Sequence, residues 1–161
     1  MLAFGRALET QLRTAIDDLF ATLEGIPDET FNTWKPAAAR DDGHEMNTFA
    51  AIATHVLGAA RFMTMVAVGG APDDRDREAE FHATGSVADL RARYDAWLDE
   101  LHSLLDGLTE EDLSRETTVE RYTEHGLLTG EALLHALDHT AIHLGHLQVQ
   151  RQLWEAETGQ A

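Results

Sequence analysis

A chain of 161 residues with 43% apolar and 25% charged side chains has the size and make-up of one globular domain with a real core. Twelve basic against twenty-nine acidic residues leave a formal charge of −17, which repels nucleic-acid backbones and anionic lipid surfaces and sets both aside as partners. Cysteine is absent, which excludes disulfides, thiolate metal sites and cysteine nucleophiles. With no secretory signal and no uninterrupted apolar run of membrane-spanning length, a cytoplasmic protein is the expectation.

In chain order, residues 2–24 carry Leu8, Leu12, Ala15, Ile16, Leu19 and Leu23 at helical period, and Gly25 and Pro27 end that first helix. Residues 28–34 suggest a short helical turn stopped at Lys35-Pro36, and 36–46 read as a loop. A second helix capped by Asn47 or Thr48 runs to about Val68, with Ile52, Val56, Ala59 and Met63 on its inward side and Gly69-Gly70 after it. Polar residues 70–85 read as a connecting loop. Ser86 and Asp89 open a third helix, whose Leu90, Tyr94, Trp97, Leu98, Leu101 and Leu105 face a core and which Gly107 ends. A further short turn is expected at Thr109–Asp112 and a short extended piece at 115–123. Thr129 is the expected cap of a fourth helix reaching about Trp154.

Four long amphipathic helices in one small chain bury their stripes as an all-α four-helix bundle, with residues 1–161 as a single domain. The longer connections after the second and third long helices leave room for crossovers.

The chemistry concentrates in the fourth helix. His135, His139 and His143 recur every four residues, so neighbouring rings stand about 5–6 Å apart at Cβ, within reach of one ion. Leu133, Leu137, Leu144 and Leu147 form the adjoining apolar stripe, so the row borders the buried face. His139 and His143 are the pair favoured as ligands. His135 and His146 lie further out, as residues that support the ligands or meet solvent. His55, inward-facing on the second helix, is the natural third ligand.

Three imidazoles with one position left open form a usual catalytic zinc arrangement, and nickel, iron, cobalt or manganese can also occupy such a set. An ion so held acidifies water or a thiol and polarises a carbonyl. Other patterns fail: no Glu-x-x-His pair suits a di-iron bundle, and His44-Glu45 is followed by Thr48 where a zinc protease needs histidine. A surface helix carrying histidines as ordinary polar positions is the competing reading. His44 and His125 sit in loops that reach the mouth of such a site at most.

Ile52-Ala-Thr-His-Val-Leu-Gly-Ala-Ala-Arg-Phe62 resembles the second-helix signature of the DinB/YfiT-like metalloenzyme family, and Asp138-His-Thr-Ala-Ile-His-Leu-Gly-His146 resembles its fourth-helix motif. The Trp34-Lys-Pro36 segment and the order of the histidines extend the likeness over nearly the whole chain. The resemblance implies a bundle, often dimeric, holding one divalent ion through His55, His139 and His143, zinc or nickel before iron, cobalt or manganese. It implies hydrolysis or S-transfer on a small-molecule substrate, in some relatives with a low-molecular-weight thiol. Ala60, Leu144 and His146 depart from the acidic residue, arginine and glutamine common at those places. None is a proposed ligand, but they leave the catalytic residues unassigned. Arg61 is a candidate for orienting an anionic group. A metal sensor or store without turnover, and a metal-free dimerisation bundle, stand as alternatives.

Overall fold

The computed structural model describes residues 1–37, 46–117 and 126–160, and all regular elements among them are helical. Helix α1 spans Ala3–Leu23, α2 Asp28–Thr33, α3 Phe49–Arg61, α4 Arg77–Glu80, α5 Val87–Gly107, α6 Glu110–Leu113 and α7 Thr129–Thr158; α3 continues as a π-helical segment over Phe62–Val68. The one departure is an isolated antiparallel bridge between Glu116 and Leu128. It touches the extended piece expected at 115–123, most of which lies outside the described residues, as do His44 and His125.

Local chemistry sets the boundaries. Gly25, at φ +76°, follows α1 in the left-handed conformation that glycine adopts without steric cost. The Thr48 hydroxyl accepts from the Ala51 amide at 3.1 Å, and that of Ser86 accepts from Asp89 at 3.1 Å, which supplies partners for first-turn amides of α3 and α5. At α7 the expectation was off by one residue. Leu128 is the cap, its amide donating to Glu131 Oε2 at 2.9 Å, while the Thr129 hydroxyl donates to the Arg115 carbonyl at 3.1 Å. The helix also runs on past Trp154 to Thr158, closed by Gly159 at φ +69°.

Helix α1 packs on α5 and α7, and α3 packs on the same two, so α1 and α3 stand on one diagonal and α5 and α7 on the other. The connections that cross the bundle therefore follow the first and third long helices, not the second and third. The 69–86 connection joins neighbours. Leu12, Ile16, Leu19, Tyr94, Trp97, Leu101, Leu133 and Leu147 are all fully buried at the centre. Tyr94 donates to the Ala53 carbonyl at 2.8 Å and Trp97 Nε1 to the Thr64 hydroxyl at 2.9 Å, so both aromatics are core residues with satisfied polar ends.

The 20-residue stretch Phe49–Val68 is, contrary to the sequence expectation, long and apolar enough to cross a membrane. Most of its apolar window is buried within the bundle, as in a core helix.

Candidate metal centre

His55 and Gly58 are one helical turn apart on α3, and His139 and His143 one turn apart on α7, which packs directly against α3. The packing brings the three imidazoles together. Ring centroids are 5.1 Å apart for His55 and His139, 5.2 Å for His55 and His143, and 4.4 Å for His139 and His143. One ligand-type nitrogen from each lies within 4.8 Å of the other two. Nitrogens sharing a zinc-sized ion at tetrahedral angles stand about 3.4 Å apart, so closing a triangle with sides of 4.8 Å asks each ring to move by about 0.8 Å. His139 Nδ1 is buried with no hydrogen-bond partner among the described residues. A buried nitrogen in that condition is costly unless an ion or water meets it. The donor set fits a divalent ion.

His135 and His146 flank the pair on α7. His146 Nδ1 is 3.3 Å from His143 Nδ1, so one ring donates to the other, and His146 itself is exposed. His135, half-buried, places its ring 6.0 Å from that of His139. Arg61 is elsewhere. It pairs with Glu100 at 3.3 Å and lines a separate depression of about 490 Å³ beside Trp97 and Arg93, so it does not reach the imidazoles.

Electrostatics disfavour the charged form of His139 and His143. Burial, then the neighbouring imidazoles of His143, His55 and His135 and the Arg75 guanidinium, pushes His139 down to about 4. Burial followed by His55 and His146 pushes His143 down to about 4 as well. Neutral imidazole is the form that binds a metal.

The connecting segment supplies what sequence reasoning missed. Residues 70–85 are not simply a loop. Asp76 caps the short α4 by accepting from Ala79 at 3.0 Å, and α4 delivers Glu80, only 7% exposed, to the back of His55. Glu80 Oε2 is 2.8 Å from His55 Nδ1. Arg75 grips the same carboxylate through Nε at 2.6 Å and a terminal nitrogen at 2.8 Å. Burial opposes ionisation of Glu80, but the bonds from Arg75 and His55 outweigh it and hold the carboxyl below its ordinary range. Phe81 stacks on the His55 ring at 5.2 Å, and the Arg77 guanidinium lies 5.1 Å over the Phe81 ring. No periodicity marks Glu80 among twenty-nine acidic residues. The one sequence signal was Gly58, a helix-breaking residue kept inside an apolar helix.

An open cavity of about 370 Å³ adjoins the cluster, lined by the rings of His55, His135 and His139, by Ala59, Phe62 and Met63, and by Arg75 and Arg77. None of these is a carboxylate, in a chain with more than twice as many acids as bases. The larger depression lies away from the imidazoles, so the smaller cavity is the one relevant to chemistry.

Bundle and cluster together define an all-α protein with a three-histidine site able to hold a metal. The family model described as DinB superfamily matches residues 11–147, and the chain belongs to that superfamily. Among solved structures it is similar to a conserved protein from Enterococcus faecalis at 16% identity and a TM-score of 0.71, covering 95% of this chain and 98% of that one, a likeness of fold. No curated protein matches the chain.

Proposed function

We propose that this protein is a divalent-metal-dependent enzyme in which His55, His139 and His143 hold the ion and a small molecule occupies the adjoining cavity. The observation that carries the reading is three imidazole nitrogens within 4.8 Å of one another at the edge of an open space of about 370 Å³. A store or structural site would be closed on all sides, whereas a catalytic one keeps a face open to substrate. A bound ion would supply a strong nucleophile at neutral pH from water or a low-molecular-weight thiol, for hydrolysis or S-transfer. Zinc or nickel suits the all-nitrogen set best, with iron, cobalt or manganese accepted less readily.

The chain's own residues do the rest. His139 and His143 stay unprotonated near neutrality because burial and mutual repulsion disfavour their imidazolium forms. Phe62, Met63 and Ala59 give the cavity an apolar wall. Arg75 is committed to Glu80, so Arg77 is the cation available to an anionic group on the substrate, the role the sequence suggested for Arg61. Residues 1–161 act as one domain in this reading, in the cytoplasm and as a homodimer through the outer face of α7.

The reading is tested with protein purified without a histidine tag. We expect one divalent ion per chain, lost in His55→Ala, His139→Ala and His143→Ala. The loaded protein should turn over a thiol with an electrophile, or a simple ester or amide, faster than the triple variant. Equal rates with full metal content would reduce the site to binding without turnover.

A further inference from the structure

We propose that Glu80 is a positioning residue for the metal centre: it holds His55 in the Nδ1–H tautomer so that Nε2 is presented to the ion, and Gly58 is the cradle that admits it. The inference rests on the reading of the three-histidine cluster as a metal site.

Two groups approach His55 Nδ1, and they demand opposite tautomers. Glu80 Oε2 at 2.8 Å can only accept while ionised, whereas the Arg75 nitrogen at 3.4 Å can only donate. The shorter contact, to the charged acceptor, decides. Nδ1 therefore carries the proton and donates to Glu80, which leaves Nε2 as the nitrogen with a free lone pair. Glu80 is in turn fixed by the two Arg75 bonds on its oxygens, so its geometry is not left to one contact. This is the carboxylate–histidine arrangement that orients a ligand ring and raises its basicity.

Gly58 completes the device. A Cβ at this position would overlap Glu80 Oε1 and stand 2.7 Å from its Cδ, with Arg75 Nε at 3.3 Å. Glu80 could retreat only by giving up its bonds, because its buried carboxylate is held at both oxygens. Glycine in mid-helix is unfavourable relative to alanine. Here it makes room for the carboxylate. The strap 69–86 thus has a task beyond joining α3 to α5: it brings an acid from outside the bundle to the back of a core histidine.

The test has two arms, with folding checked by circular dichroism. In the metal-free wild type at pH 7.5, nitrogen-resolved histidine NMR should show His55 protonated at Nδ1, and that signature should weaken in Glu80→Gln and be lost in Glu80→Ala. By chelator competition with zinc, affinity should fall about 10–100-fold in Glu80→Ala and less in Glu80→Gln, which keeps an acceptor oxygen. Gly58→Ala should lose a comparable amount in the wild-type background and little further in Glu80→Ala, since both changes break one contact. A wild-type His55 protonated at Nε2, zinc affinity unchanged in both Glu80 variants, or full additivity with Gly58→Ala would each overturn the proposal. A wild type that takes up no metal yet shows Nδ1–H at His55 would overturn the metal reading and leave Glu80 a structural partner only, so the two failures are distinct.

Discussion

His139 and His143 each contribute a pH dependence to the stability of this protein. Both fall to about 4 in the folded chain, whereas an imidazole in the unfolded chain titrates near 6.5. Between those values the unfolded state binds more protons, so stability is fully present above about 6.5 and is lost as pH falls toward 4. Thermal unfolding of the metal-free protein should show that decline, and replacing both residues by glutamine should flatten it. A curve unchanged by the double variant would contradict the assignment. The same shift alters what ordinary imidazoles suggest for metal release. At His139 and His143 protons compete with the ion only near the folded-state value, so the midpoint of release, followed by dialysis against buffers of falling pH, should lie below 6. The identities of His55, His139 and His143 were legible because i, i+4 spacing and the inward face of a helix are written in the sequence. Glu80 was not, since its role comes from a tertiary contact 25 residues along the chain.

At the scale of elements, the informative one is the π segment Phe62–Val68 that ends α3. Its wider turn closes through bonds such as Gly69 N to the Thr64 carbonyl at 3.0 Å and Ala71 N to the Met65 carbonyl at 2.9 Å. Thr64 is wholly buried, donates to the Ala60 carbonyl at 2.8 Å and accepts from Trp97 Nε1 at 2.9 Å, pinning this turn to α5. Thr64→Val keeps the shape but strands the Trp97 N–H, and should cost about 1–3 kcal/mol in urea unfolding. A neutral result would mean that the indole finds another partner. The long helices and most of their caps followed from apolar period and from Thr48, Ser86 and Gly25. The change of pitch at Phe62 did not, because Ile52, Val56, Ala59 and Met63 fit either winding over so short a run. The path of 70–85 was equally hidden. Its polar composition reads as loop, and only packing against α3 makes α4 part of the site.

For the molecule as a whole, the four-helix arrangement was readable from the pattern, but the order of packing around the bundle was not. Helix periodicity says which face is buried, and leaves open which neighbour buries it. Helix α7 adds a second apolar face: Leu134, Ile142, Val149 and Leu153 remain 52%, 51%, 55% and 39% exposed and fall within about a third of a turn of one another. A second copy covering this stripe would remove it from water, so light scattering should report a dimer that Ile142→Glu with Val149→Glu converts to monomer. A wild type that is monomeric at micromolar concentration would set the homodimer aside. The central claim is that imidazoles from α3 and α7 share one ion, and the measurement closest to it is metal stoichiometry by elemental analysis on untagged protein and its three alanine variants. About one divalent ion is expected per wild-type chain, and next to none when His55, His139 or His143 is replaced. Undiminished metal in the His55→Ala protein would contradict it, because the site would then not span the two helices.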